Sequence, residues 1–206
     1  ALEPRLILLD EPFSALDANL RAATRKAVTR VLDAANITTI LVTHDPAEAL
    51  SFADHLAVMR DGKLVQEGRP IDLFLRPIDA FTARFLGDAV ILPAELAEGW
   101  ATCAIGRIAV DDGRRRGRCE IMLRPEQLQF VAAIDDGQDR LGSGTVQSID
   151  YTGHDCMVTV CIGGPDDVVL VRCSSHDLPE VRDQVRVAAS GVARSSRSSR
   201  YSSHNP

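Results

Sequence analysis

The first part of the chain has two strand-type runs, one on either side of a stretch with helical periodicity. Residues 6–9 are continuously apolar, which is typical of a central strand buried on both faces of a parallel sheet. Apolar residues then recur every three or four positions up to residue 35, which predicts a helix that begins after Asp17. A second strand-type run, Thr-Thr-Ile-Leu-Val-Thr, covers residues 38–43. The pattern therefore predicts two parallel strands joined by a helix in a right-handed crossover.

The pattern of residues 46–86 predicts short helices and strands around one hairpin. Its turn signal is the pair Asp61-Gly62, which favours a tight two-residue connection. Arg76-Pro77 interrupts the following helical pattern, and Gly87 stands where the cap of a last helix is expected. The predicted elements are a helix at 46–53, strands at 54–60 and 63–67, and two short helices within 71–86.

From Asp88 onward the pattern changes to short β-type runs separated by turn residues. These runs cover 104–110, 119–123, 144–151, 155–162 and 168–173. Such spacing favours a small barrel or sandwich. The stretch 190–206 is rich in Ser and Arg, which predicts disorder and makes it unlike the strand needed to finish a barrel. We therefore expect domains at 1–87 and 88–189, followed by a disordered tail at 190–206.

Composition narrows the class of protein. The chain has 206 residues, 45% hydrophobic residues and a net charge of −6, which suits one or two globular domains and disfavours general affinity for nucleic acid. It has neither a run of about 18 apolar residues nor a basic, apolar leader at its amino terminus, so we expect a cytosolic chain. The five cysteines form no Cys-x-x-Cys pair and are expected to be reduced. The arginine cluster at 114–118 reads as a solvated loop rather than a nucleic-acid patch.

The candidate chemistry lies where the two predicted parallel strands end. Asp10 and Glu11 follow the first strand, and His44 follows the second. Carboxyl ends of parallel strands open on one edge of the sheet, where ligands bind. Asp10 could hold Mg²⁺ while Glu11 accepts a proton from water, a division that suits phosphoanhydride hydrolysis. Taken alone, the two carboxylates are as consistent with an ordinary strand end as with a catalytic site. Taken alone, His44 is more consistent with a solvent-exposed loop residue.

Together these residues resemble the ATP-binding subunits of ABC transporters. Residues 6–10 resemble the Walker B strand, Glu11 the catalytic glutamate, residues 14–17 the D-loop and His44 the switch histidine. The resemblance implies that ATP is the substrate, that Asp10 holds Mg²⁺, and that Glu11 and His44 act on the γ-phosphate. It also implies a head-to-tail homodimer of ATPase subunits, with Ser14 and Asp17 at the nucleotide-binding seam.

The β-rich region adds a second resemblance. Residues 123–126, Leu-Arg-Pro-Glu, are similar to an element of TOBE domains, which are small OB-like barrels. The expected fold is therefore α/β, a partial P-loop NTPase sheet with helices, followed by a TOBE barrel. Residues 85–96, 103–106 and 123–128 resemble ferric-iron importer ATPases, with polyamine, sulfate and sugar importers left open. The family implies membrane permease subunits and, indirectly, a periplasmic binding protein as partners, and a peripheral location on the cytoplasmic face of the inner membrane.

Residues 1–206 contain no phosphate-binding glycine loop. The only lysines are Lys26 and Lys63, and Leu64 replaces the Ser or Thr that the loop requires. Residues 1–2 resemble the end of the helix after the ABC signature, so the chain is expected to begin inside the ATPase domain and to be inactive alone. The alternatives are a truncated, non-enzymatic remnant that serves as a regulatory or dimerisation module, and a nucleic-acid-binding barrel.

Overall fold

The computed structural model describes residues 4–111, 113–131, 142–162, 167–176 and 178–196. The chain divides into two compact units, Ala1–Ile78 with Phe85–Gly87, and Asp79–Arg84 with Asp88–Pro206. No helix in the described residues is both long and apolar enough to cross a membrane.

The first unit combines two small sheets with short helices and one long helix. Its elements are β1 (Leu6–Asp10), α1 (Ala18–Ala35), β2 (Thr38–Val42), α2 (Pro46–Phe52), β3 (Leu56–Arg60), β4 (Lys63–Gly68) and α3 (Pro70–Leu75). The next helix, α4 (Ala80–Leu86), has residues in both units. The predicted order of elements in this region is confirmed, with boundaries that differ by one or two residues.

The strands β1 and β2 pair in parallel, in register from Leu6 opposite Thr38 to Asp10 opposite Val42. Helix α1 connects them. It begins because the Asp17 side chain accepts a hydrogen bond from the Leu20 N–H at 2.9 Å, which satisfies one of the free donors of the first turn. It ends at Asn36, whose φ of 51° is left-handed. The sequence prediction of a parallel strand–helix–strand unit is confirmed.

The prediction that β1 is buried on both faces is wrong for the described structure. One face of the pair carries Leu6, Leu8, Ile40 and Val42, and Leu8 is 69% exposed. The opposite face is only half-buried. The prediction also placed β1 at the centre of its sheet, where it would pair with a strand on each side. The described parallel sheet has two strands, so β1 pairs on one side only. An apolar run indicates that a strand is suited to burial. It does not indicate how many helices or sheets pack over that strand.

The hairpin β3–β4 forms around Asp61 and Gly62, whose φ values of 52° and 73° suit the predicted two-residue turn. Its inner residues meet helices α3 and α4 in a small core made of Leu56, Val58, Leu73 and Leu86. A separate aromatic contact joins Phe13 to Phe52, with ring centroids 6.4 Å apart.

The described part of the second unit is mostly β. Its strands are β5 (Val90–Ala97), β6 (Trp100–Cys103), β7 (Gly106–Val110), β8 (Gly117–Leu123), β9 (Leu128–Val131), β10 (Gly142–Tyr151), β11 (Asp155–Cys161), β12 (Val168–Ser174), β13 (Gln184–Ala189) and β14 (Val192–Ser196). A 3₁₀ turn, Pro125–Gln127, precedes β9. Five strands close a barrel in the order β14-β7-β6-β5-β8, and the other five form a sheet in the order β12-β11-β10-β13-β9. One continuous core serves both. The predicted small barrel is confirmed.

The carboxyl-terminal stretch corrects the prediction of disorder for residues 190–206. Val192–Ser196 is strand β14, parallel to β7 and antiparallel to β8, and it closes the barrel. Ala193 is fully buried, Arg194 pairs with Asp111 at 2.5 Å, and the Arg115 guanidinium donates to the Ser195 carbonyl at 3.2 Å. Backbone pairing on two sides needs no apolar sequence, and partners elsewhere in the barrel satisfy the polar side chains. Residues 197–206 lie outside the described residues.

Candidate functional site

The site lies where β1 and β2 end side by side. The backbone N–H of Glu11 donates to the Val42 carbonyl at 2.9 Å, so the first residue after β1 is still tied to β2. Glu11 then adopts a left-handed φ of 47°, which costs a non-glycine residue about 1 kcal/mol or more. This conformation breaks the alternation of the strand at Glu11.

Glu11 and His44 meet at this edge. The Nδ1 atom of His44 lies 2.7 Å from Glu11 Oε1, and the backbone N–H of His44 donates to the same oxygen at 2.9 Å. A carboxylate has no proton to donate, so His44 Nδ1 carries the proton in this contact. The hydrogen bond and the negative charge of Glu11 raise the pKa of His44 above its ordinary value, and the charges of Asp45 and Glu48 add to this. The His44 side chain is 80% exposed, so its ring remains open to a ligand.

The other predicted site residues lie along the same segment. Asp10 is exposed at the last position of β1. The Ser14 hydroxyl donates to the Glu11 carbonyl at 2.9 Å, which holds the turn after the strand. Asp17 caps helix α1 through its carboxylate. The structure thus brings Glu11, His44 and Ser14 into one hydrogen-bonded group and gives Asp17 a structural contact of its own.

The loop around His44 contains supporting residues that sequence reasoning missed. Asp45 Oδ1 caps helix α2 by accepting from the N–H groups of Ala47 and Glu48 at 2.8 and 3.3 Å. The Thr43 hydroxyl accepts from the Asp45 N–H at 3.0 Å and donates to Glu48 at 2.8 Å. Glu48 is 2% exposed, an unusual environment for a carboxylate. An Asp followed by Pro and, three positions on, by Glu is a helix-start signal that would have identified this network.

The described residues contain no cluster of three or more His, Cys, Asp or Glu side chains able to hold a metal ion. Mg²⁺ differs from most metals in that one or two carboxylates suffice when phosphate oxygens and waters complete its octahedron. The exposed carboxylate of Asp10 fits that donor set. Glu11 fits it less well, because both hydrogen bonds from His44 occupy its Oε1.

Comparison with known proteins finds similarity along most of the chain. The family model of the TOBE domain matches residues 121–191. The chain is 53% identical over 199 residues to the Fe(3+) ions import ATP-binding protein FbpC of Pseudomonas fluorescens, covering 94% of this chain and 55% of that protein. It is 60% identical over 151 residues to the protein of the same name from Serratia marcescens, covering 73% of this chain and 43% of that protein.

The chain is similar to ATP-binding proteins of this name over 94% of its length. A third relative, the FbpC of Mesorhizobium japonicum, is 48% identical over 206 residues. The chain spans about half the length of the curated relatives it matches, between 43% and 57% for these three. The resemblance to an ABC importer subunit with a TOBE domain, stated from the sequence motifs, is confirmed at this level.

Among solved structures, the cytoplasmic molybdate-binding protein ModG matches with a TM-score of 0.41 and 8% identity, covering 50% of this chain and 91% of that protein. A likeness this weak bears neither on the fold nor on a ligand.

Proposed function

We propose that this chain carries the water-orienting part of the active site of an ATP-hydrolysing ABC importer subunit, and that the imported substrate is ferric iron. The observation that carries the proposal is the contact of 2.7 Å between His44 Nδ1 and Glu11 Oε1 at the ends of two parallel strands. The names of the relatives, which are ferric-iron import proteins, support iron as the substrate.

The pair divides the work between two side chains. His44 occupies one oxygen of the Glu11 carboxylate, which leaves Oε2 to accept a hydrogen bond from the attacking water. With its other oxygen fixed by His44, the contribution of Glu11 is chiefly to orient the water. His44 turns Nδ1 toward Glu11, so the free Nε2 edge of the ring would face the γ-phosphate. The raised pKa of His44 favours the imidazolium form, which stabilises the charge on the transferring phosphoryl group.

Asp10 is the residue that would hold Mg²⁺, which neutralises charge on the phosphate oxygens when it is bound. ATP binding would need a phosphate cradle, and residues 1–206 contain no glycine loop of that kind. Ser14 and Asp17 lie on the turn before α1, which we assign to the seam between two ATPase subunits. The partners proposed with them are a second ATPase subunit, membrane permease subunits and, indirectly, a periplasmic binding protein, at the cytoplasmic face of the inner membrane.

The proposal is tested in a chimera in which this chain replaces the matching segment of the Pseudomonas fluorescens FbpC. Glu11→Gln should leave nucleotide affinity unchanged and lower ATP turnover by about 100-fold or more, the range expected for a residue that acts on the attacking water. Glu67→Gln is the matched control, because Glu67 also stands beside a histidine, His55, at 3.7 Å and lies outside the site. Normal turnover in the Glu11→Gln chimera would remove Glu11 from the mechanism.

Ferric iron as the substrate is tested by uptake. The unmodified chimera should restore uptake of radioactive ferric iron to a strain that lacks its own subunit, and uptake of a polyamine, sulfate or a sugar instead would overturn the assignment. The isolated 206-residue chain is expected to give no heat of Mg-ATP binding in the micromolar range. An unmodified chimera that binds ATP and never hydrolyses it would favour the non-enzymatic module.

A further inference from the structure

Arg21 joins two segments of the site that are far apart in the sequence. Its Nη2 donates to the Leu16 carbonyl at 2.9 Å, in the turn before α1. Its Nη1 donates to Asp45 Oδ2 at 3.3 Å, 24 residues further along the chain. One planar guanidinium therefore connects the turn that follows Glu11 with the loop that carries His44.

Asp45 links Arg21 to the residues on either side of His44 through its own hydrogen bonds. Its Oδ1 caps helix α2 while its Oδ2 receives Arg21, so both carboxylate oxygens are engaged. Its backbone N–H is held by Thr43, whose hydroxyl is in turn anchored on the buried Glu48. His44 thus stands between two residues whose positions are fixed by hydrogen bonds.

The energetics point to a local role for Arg21. The side chains of Arg21 and Asp45 are 32% and 27% exposed, and an ion pair this open to solvent contributes little to global stability. In the described part of the chain the buried Arg21 Nε has no hydrogen-bond partner, which is unfavourable. The two terminal nitrogens of the planar guanidinium bind two different partners, Asp45 and the Leu16 carbonyl. The single ammonium group of lysine lacks this geometry.

We propose that Arg21 is a positioning residue that locks the turn before α1 to the His44 loop and thereby holds His44 against Glu11. The catalytic meaning of this lock rests on the proposed function, whereas the lock itself is a property of the folded chain. The role acts through Asp45, so replacing either partner should have the same consequence for His44.

The lock is tested by following His44 through a pH titration with NMR in the 206-residue chain. Arg21→Met should lower the midpoint of His44 by about 0.5 pH, because a less populated hydrogen bond with Glu11 no longer favours the imidazolium. Arg21→Lys should lower it as well, since lysine keeps the charge and loses the fork. If charge alone mattered, Arg21→Met would raise the midpoint and Arg21→Lys would leave it in place, and that result would overturn the proposal.

Two further variants keep the test sound. Asp45→Asn retains a good helix cap and removes both the partner of Arg21 and a negative charge that raises the pKa of His44, so it should lower the midpoint at least as far as Arg21→Met does. Adding Arg21→Met to Asp45→Asn should lower the midpoint no further, because the two residues act through one contact. Arg30→Met, at an exposed position of the same helix, is the control and should leave His44 unchanged. Equal midpoints in the unmodified protein, Arg21→Met and Asp45→Asn would refute the lock.

The chimera separates this proposal from the proposed function. There Arg21→Met should lower kcat about 10-fold with KM nearly unchanged, as expected when a group used in the transition state is misplaced. A shifted His44 midpoint together with full turnover in the Glu11→Gln chimera would overturn the catalytic assignment and leave the lock standing. If the His44 midpoint does not shift in Arg21→Met and turnover is lost in the Glu11→Gln chimera, the lock is overturned and the catalytic assignment stands.

Discussion

The guanidinium of Arg124 donates to the carbonyl oxygen of Ala83 at 2.9 Å, although 41 residues separate them and Arg124 is only 1% exposed. The same Nη1 donates to the Asp88 carbonyl at 2.8 Å. Ala83 lies in α4, so the arginine satisfies a carbonyl near the end of a helix and another in the segment that follows. Burial lowers the pKa of Arg124, yet arginine stays charged at any physiological pH. The Leu-Arg-Pro-Glu element thus owes its arginine to a buried structural contact.

Arg124→Met should destabilise the second unit by roughly 2–4 kcal/mol, because one buried and one partly buried carbonyl lose a charged donor. Urea unfolding followed by the fluorescence of Trp100, the single tryptophan, on β6, measures this. The control is Arg116→Met, an exposed arginine of the cluster at 114–118, which should shift the midpoint little. Equal midpoints for Arg124→Met and the unmodified chain would show that the contact contributes nothing.

Strand β14 gives a prediction with a built-in control, since neighbouring residues on a strand face opposite sides. Ala193→Glu places a carboxylate at a fully buried position and should destabilise the barrel by about 3 kcal/mol or more. Val192→Glu changes a residue that is 49% exposed and should cost less than about 1 kcal/mol. Thermal unfolding of the two variants decides, and similar losses in both would mean that β14 does not close the barrel in solution.

The Glu11–His44 pair makes stability depend on pH with a defined sign. The pKa of His44 is raised in the folded chain, so the stabilisation that the proton provides is fully present below the unfolded pKa of about 6.5. It is lost as the pH rises through the higher pKa of the folded state. Replacing Glu11 with Gln should therefore destabilise the chain at pH 6 and change it little at pH 9.

Urea unfolding of Glu11→Gln and of the unmodified chain at both pH values checks this dependence, with the signal taken from far-ultraviolet circular dichroism. A larger destabilisation at pH 9 than at pH 6 would contradict the assigned cause of the raised pKa.

Local signals were enough for the elements of the first unit and for one of its long-range contacts. Asp17 as a helix cap and Asp61-Gly62 as a hairpin turn are decided by residues that adjoin each other, so the sequence predicts them directly. The meeting of Glu11 with His44 follows from one further rule, that parallel strands in a right-handed unit end on the same edge.

The other non-local contacts were not predictable in this way. The exposure of Leu8 depends on how many layers surround β1, the place of Val192–Ser196 depends on two strands that accept it, and Arg21 reaches Asp45 only after the helix between them has formed. By itself the sequence determined the parallel unit, the carboxylates and histidine at its edge, and the change to β structure after Asp88. Only the tertiary structure decided which surfaces are covered, how the barrel closes and what holds His44 in place, because these depend on partners that no local pattern encodes.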